Sequence, residues 1–412
     1  MQMKTIKKQF CMLTAAVMAA LTLPCAGLTA FAADPGDLNG DGAVNKSDVW
    51  LLTSYLLNEP IDAVMDWKAG DMDDNGKLNA CDLSLLKRIC LSADVQEITG
   101  SIHLKGSSIE FEGKNITVTG TTAVISASGT YYIDGTLKGG QVVVNVPDEK
   151  TDSETVKLYL NGVSMENTEA PCLLVENAEK TTLHLVEGKE NTLTDGLEAP
   201  ASKTDPTFSV IQAKDDLTIK ESGSLTITAG MAYGIQCNND LKLNGGNITV
   251  KTENGDAIRS KTSVSVKDGV ISVNSEGDGI KSTKGTLEIL GGTVKIKAGN
   301  DALQSDTALS LKGGTVTACG DRGIKAGTTF LLDGCTLLAT ATDEPIMKPT
   351  TAAQAYSTFS SDTELPKNTA IGLEDPRGPK LSMTALKKFS YALVSSPQNS
   401  ESATVWVTLA SE

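Results

Sequence analysis

Histidine is almost missing: 412 residues contain only His103 and His184, far apart and in strand-like contexts. That leaves too few imidazoles for a His-based zinc site and little material for a Ser-His-Asp relay. Aromatic residues are scarce at 4%, which argues against a large aromatic core or a broad stacking platform. Basic residues are outnumbered 36 to 51, for a net charge of −15. Phosphate binding needs a basic patch, so neither nucleic acid nor an anionic membrane is the expected partner. There is no CxxC pair, and beyond the first 32 residues Cys81, Cys90, Cys172, Cys237, Cys319 and Cys335 are scattered. They are predicted to be mostly free, buried thiols. Past the N-terminal segment no run is apolar enough to span a bilayer. What is plentiful is glycine, 38 residues, and acid. The length suggests two or three domains, and the composition a turn-rich, mainly β protein using a hard cation.

The first residues read as a secretory signal, residues 1–32. Lys4, Lys7 and Lys8 precede an apolar run from Phe10, and Ala30-Phe31-Ala32 is a small-x-small cleavage site. A membrane anchor is the alternative, but polar sequence follows at once. A secreted chain starting at Ala33 loses three positive charges and goes from −15 to −18.

Two loops of one design follow, 34 residues apart. Asp37, Asn39, Asp41, Ala43, Asn45 and Asp48 stand at positions 1, 3, 5, 7, 9 and 12 of the first. Asp71, Asp73, Asn75, Lys77, Asn79 and Asp82 stand there in the second. Position 6 is Gly42 or Gly76, and position 7 offers a backbone carbonyl. This EF-hand-like spacing wraps oxygen ligands around one Ca²⁺ per loop. A helix is predicted after each loop, Val49 to Leu57 and Leu83 to Leu91, with none before it. The pair, over residues 34–92, resembles a type I dockerin. That resemblance implies attachment to a cohesin domain of a scaffoldin. It also implies partner-reading residues at loop positions 10 and 11 and along the helix: Lys46 and Ser47 in copy one, Ala80, Cys81, Lys87 and Arg88 in copy two.

From about residue 100 a different period takes over. Turn glycines Gly223, Gly246, Gly269, Gly292, Gly314 and Gly334 are spaced by 23, 23, 23, 22 and 20. Apolar pairs flank each at period two, such as Leu241 and Leu243 before Gly246 and Ile248 and Val250 after it. A third element recurs as Gly234-Ile235, Ala257-Ile258, Gly279-Ile280, Ala302-Leu303 and Gly323-Ile324. Three short strands per repeat, with apolar columns in register, describe one coil of a parallel β-helix, predicted over 100–341. A β-sandwich is the alternative fold. Residues 342–412 are read as a C-terminal β cap, because an open solenoid end exposes core and unpaired edges.

Several segments carry a second resemblance: Gly129-Thr130-Tyr131-Tyr132-Ile133-Asp134-Gly135, Leu158-Tyr159-Leu160-Asn161-Gly162-Val163, Glu190-Asn191-Thr192-Leu193-Thr194-Asp195-Gly196 and Val394-Ser395-Ser396-Pro397. With the repeat, they resemble cellulosome-associated carbohydrate-binding domains that bind cellulose and polygalacturonate. The likeness implies a right-handed, calcium-containing β-helix and plant cell-wall polysaccharide as partner.

One column is polar without an evident need. Asp256, Asp278, Asp301 and Asp321 recur just before the small-apolar element, spaced by 22, 23 and 20. Carboxylates stacked ~4.8 Å apart repel by about 0.9 kcal/mol in water and about 3.5 kcal/mol at an effective dielectric near 20. That cost suits further Ca²⁺ ions; turn-forming Asp residues satisfied by backbone N–H groups are the alternative. Nearby stand Arg259, Lys281, Gln304 and Lys325, as surface ion pairs or as clamps for an acidic sugar. Tyr233 is placed one rung earlier, as a stacking ring or an ordinary surface aromatic. The expectation is a non-catalytic module binding acidic, pectin-like polymer. A calcium-dependent polysaccharide lyase or a structural adhesin is the alternative.

Overall fold

The computed structural model describes residues 35–42, 44–61, 65–93, 98–202, 204–376 and 378–410. The predicted signal segment and Ala43 lie outside the described residues. The chain divides into two compact units, 1–96 and 97–412.

In the first unit, helices α1 (Lys46–Leu56), α2 (Trp67–Gly70) and α3 (Ala80–Ala93) surround a small core of Leu38, Leu51, Leu52 and Leu86. Both long helices begin three residues earlier than their apolar periodicity predicts, because the loops themselves cap them. Asn45 Oδ1 accepts the Ser47 N–H at 2.7 Å, and Asp48 Oδ2 accepts the Asn45 N–H at 2.8 Å. Asn79 and Asp82 repeat this on α3. Side-chain acceptors of this kind satisfy the orphan donors of a first helical turn. The expectation of no helix ahead of a loop fails for the second. There the single turn α2, capped by Asp66, leads directly into Asp71.

The second unit is the parallel β-helix. Ile235, Ile258, Ile280, Leu303 and Ile324 stack in register through a ten-stranded sheet. Leu241, Val264, Leu287, Leu309 and Phe330 form a second column, and Ile248, Ile271, Val294, Val316 and Leu337 a third. These columns merge into one continuous core. Leu and β-branched side chains fill it, which explains why few aromatics are needed. At the turns glycine is obligatory. Gly269 and Gly292 take φ of +102° and +77°, and a Cβ on either would approach a backbone oxygen of the preceding rung within 2.7 Å.

The ends are closed by antiparallel pairing. At the start Ile98–Gly106 pairs with Ile109–Gly113. At the other end the solenoid runs a little past residue 341, since Thr351–Ala352 still pairs in parallel with Leu331–Leu332. The strand Phe389–Ser395 then lies antiparallel along Thr336–Ala341 and covers its edge. A separate three-stranded sheet with Ile371, Leu373, Met383 and Phe389 completes the cap. Cys172, Cys237, Cys319 and Cys335 are free and buried, and Cys81 is free and exposed. Burial pushes the Cys172, Cys237 and Cys335 thiols up to about 12, which makes them inert.

Candidate functional site

The dockerin-like loops place their acids by backbone hydrogen bonds. Asp82 Oδ1 accepts the N–H groups of Met72 and Asp73, at 2.9 and 3.3 Å, and Oδ2 that of Asn79. Asp71 accepts Asn75 and Gly76 N–H across the loop. Ligand atoms of Asp71, Asp73 and Asp82 come within 4.8 Å of one another. Each carboxylate oxygen has two lone-pair directions, so an amide contact does not exhaust it. Carboxylate and amide oxygens together, with no thiolate or imidazole, fit Ca²⁺. Loop one copies the wiring. Asp48 takes Leu38, Asn39 and Asn45 N–H groups, and Asp37 takes those of Gly40, Asp41 and Gly42. Gly42 and Gly76 hold φ of +84° and +77°, the left-handed turn that position 6 requires.

Of the residues proposed to read a cohesin, Ser47, Ala80, Cys81 and Lys87 are exposed. The side chains of Lys46 and Arg88 lie outside the described residues. The two copies differ more than those positions suggest. Along α1, Trp50 is 59% exposed, and Tyr55 and the cap residue Leu57 stand open beside it; Ser84 takes the place of Trp50 on α3. The signal for these residues was present, since Trp50 and Tyr55 fall off the apolar stripe that packs Leu51 and Leu52.

On the solenoid, strand register revises two of the sequence assignments. Asp301 pairs with Arg322, not Asp321, because the last rung carries one extra residue between its acid and Gly323-Ile324. Register also sets Gln236 opposite Arg259, so Gln236 precedes the basic column. Tyr233 instead stands two residues before Ile235, as Asp256 does before Ile258, and belongs to the acidic column. Its ring lies under the Arg259 guanidinium, 4.4 Å from centroid to Cζ.

The carboxylates of that column do not converge. Each reaches the next rung: the Asp278 N–H donates to Asp256 Oδ1 at 2.9 Å, and the Asp301 N–H to Asp278 Oδ1 at 3.0 Å. Gly277 leaves room for this, since a Cβ there would fall 2.7 Å from Asp256 Oδ1. Their free sides meet cations. Arg259 lies 3.3 Å from Asp256, Lys281 Nζ 2.6 Å from Asp278, and Lys325 3.4 Å from Asp301. Arg322 forks onto Asp301 through Nε and Nη2. Asp321 pairs with Lys387 of the cap, whose ammonium also donates to the Ala298 carbonyl. Among the described residues no three acidic, thiol or imidazole donors gather on this column. It fits a ladder of backbone and ion-pair contacts, not a row of calcium cages. The alternative left open from sequence is the one the geometry favours.

Electrostatics agree. Burial, then Asp278, raise the Asp256 carboxyl above its ordinary value. Burial pulls the Lys281 ammonium down, but Asp278 and Asp256 more than offset it and the group ends above its ordinary value. The Asp301 hydrogen bond raises Arg322 likewise. Lys281, Gln304 and Lys325 open with Asp278, Asn300, Asp301, Asp321, Arg322, Asp343 and Glu344 onto one groove of about 380 Å³. Arg322 is the group that sequence reasoning missed. Counting from Ile324 rather than from the acid would have found it.

Comparison with known proteins agrees with both units. A model described as type I dockerin domain matches residues 35–91. One described as carbohydrate-binding domain-containing protein matches residues 119–363. A carbohydrate-binding domain-containing protein of Acetivibrio thermocellus is 40% identical over 129 residues, covering 31% of this chain and 44% of that relative. The chain thus spans less than half the length of the curated relative it matches. A solved structure of a polysaccharide lyase-like protein from C. thermocellum, a gadolinium derivative, is 29% identical, with a TM-score of 0.49, over 62% of this chain and 99% of that one. With more than half of its residues matched by the family model, the chain belongs to the carbohydrate-binding domain-containing family, and it carries a type I dockerin domain ahead of that region.

Proposed function

We propose that the chain is a secreted carbohydrate-binding protein of a cellulosome. Its dockerin docks, with calcium bound, into a cohesin domain of a scaffoldin, which places the protein outside the cell and at its surface. The β-helix holds plant cell-wall polysaccharide there during its degradation. The ligand of the charged groove is an acidic, pectin-like chain.

The observation that carries this reading is the convergence of Lys281, Arg322 and Lys325 on one groove with the amide of Gln304. Guanidinium forks and ammonium groups suit the carboxylates of a uronic acid. The rim also presents exposed Asp343 and Glu344 and half-exposed Asp321, so the groove is acidic on balance. A Ca²⁺ ion shared between rim and polymer carboxylates relieves the repulsion, and binding then depends on calcium. Binding is favoured over lyase chemistry by the state of the bases. A proton-abstracting Lys must be unprotonated, and Asp278 holds the Lys281 ammonium protonated.

The test applies the chain to a polygalacturonate gel with calcium and with chelator, while ultraviolet absorbance follows any unsaturated product. Retention only with calcium, without product, is expected, and Lys281→Glu weakens it. Steady product release overturns the binding reading. Retention indifferent to Lys281→Glu moves the site elsewhere.

A further inference from the structure

A second groove lies on a different face of the solenoid, along the turns. It measures about 520 Å³ and is lined by Lys220, Glu221, Asn244, Asn247, Asp268 and Val270. Its floor is glycine. Gly245, Gly246 and Gly269 lie there at positive φ, and a Cβ on Gly245 would come within 2.8 Å of the Glu221 carbonyl. Bare backbone over successive rungs makes a trough running along the solenoid axis.

Three features are not explained by folding alone. Asn244 Oδ1 is fully buried from solvent and has no hydrogen-bond partner. Glu221 holds a non-glycine residue at φ +76°, a strained backbone that sets its carboxylate 3.3 Å from His184 and 3.4 Å from Lys220. Val270 is an apolar side chain left 45% exposed at the edge of the trough. One rung before Lys220 in the same outward column comes His184, which continues into stacked Tyr159 and Tyr132, with ring centroids 4.2 and 4.7 Å apart.

We propose that this trough is a second glycan site, for an uncharged polysaccharide segment lying along the solenoid axis. The proposal rests on the carbohydrate-binding reading above and assigns it another surface and another ligand class. The cation here is already engaged, since Lys220 pairs with Glu221. One Asp268 oxygen holds the Gly269 N–H at 2.7 Å. A uronate carboxylate therefore finds no unpaired positive charge. Sugar hydroxyls, which both donate and accept, match two amides, the second Asp268 oxygen and the lone acceptor of Asn244. The C–H face of a pyranose lies over the glycine floor and against Val270, where a side chain on the floor would hold it off.

The test titrates the full-length protein with a neutral β-1,4-linked gluco-oligosaccharide and, separately, with an oligogalacturonate in calcium, by calorimetry. Asn244→Leu removes the buried acceptor, Asn247→Ala removes an exposed amide, and Val270→Lys fills the edge from an exposed position. The expected result is at least tenfold weaker binding of the neutral oligosaccharide by Asn247→Ala and Val270→Lys, with oligogalacturonate binding unchanged. Lys281→Glu should do the reverse. The two exposed-site variants keep the test valid should Asn244→Leu not fold. No binding of the neutral oligosaccharide, or equal binding by the exposed-site variants, overturns the proposal. Loss of oligogalacturonate binding alone would instead count against the charged groove.

Discussion

Both units repeat carboxylates along the sequence, 34 residues apart in the loops and 20 to 23 apart on the solenoid, yet they use them in opposite ways. In the second loop three acids converge within 4.8 Å, and the printed partners of Asp71 and Asp82 are backbone N–H groups. On the solenoid each acid stands one rung from the next and meets a Lys or Arg of its own chain. Like charges at such spacing cost energy in either place. The loops leave that cost to an external cation, and the ladder neutralises it internally. A periodic acid is thus not a metal ligand by virtue of its period; what decides is whether its neighbours are amides or ammonium groups.

Calcium removal tests this difference with the largest expected effect. Free calcium a thousandfold above its dissociation constant adds about 4 kcal/mol to whatever binds it only when folded. Chelation of the full-length protein should abolish hydrogen-exchange protection in α1 and α3 and leave the solenoid strands protected. Equal loss in both units would mean that the ladder also depends on bound ions.

Acid should separate the units by a second route. Both histidines lie in the solenoid, and His184 is buried. Burial, then the neighbouring Lys220, hold its imidazole down to about 4. The unfolded chain, with an ordinary His near 6.5, binds the proton first. Stability is therefore full above about pH 6.5 and falls as the pH drops toward 4, by about 3 kcal/mol in all. His184→Phe keeps a ring against Tyr159 and should flatten that part of the stability–pH curve, measured by denaturant unfolding. An unchanged slope would assign the acid loss to carboxylates instead.

Much of this was legible in the sequence and some was not, for physical reasons. Glycine at positive φ and apolar residues at period two are dictated locally, so the coils, the caps of the loops and their helices could be read directly. Register between rungs is set by the apolar core. Counting from acid to acid therefore slipped where the rung ending at Ile324 carries an extra residue, and Arg322 was hidden behind Asp321. Tyr233 was assigned to the basic column for the same reason. Whether Asp278 faces a metal or Lys281 depends on side-chain direction in three dimensions, which spacing alone does not fix. The exposed turn of α1 at Trp50 escaped because a partner surface looks like an imperfect core stripe.

Arg322 offers the next test. Asp301 is 1% exposed, and Arg322 supplies two of its charged contacts. Arg322→Gln keeps one donor and removes the charge, leaving Lys325 at 3.4 Å as the remaining cation. A cost of about 2 kcal/mol is expected, since a buried carboxylate loses part of its compensation. Thermal unfolding should report it equally with and without calcium. Rescue of the variant by added calcium would show that an ion can take the guanidinium's place, and would turn this rung of the ladder into a cage.

Asp321 should give the smallest effect. It stands off the column by one residue, is half exposed, and shares Lys387 with the Ala298 carbonyl. Exposed ion pairs contribute about 0 to 1 kcal/mol, and the carbonyl still holds the ammonium when the carboxylate is gone. Asp321→Asn should therefore shift stability by under about 1 kcal/mol, while high salt shrinks even that difference. A loss as large as that of Arg322→Gln would place Asp321 back among the buried, paired acids. A loss seen only in calcium would make it a ligand. Either result would erase the distinction between the two regions at the one acid where the sequence and the register disagree.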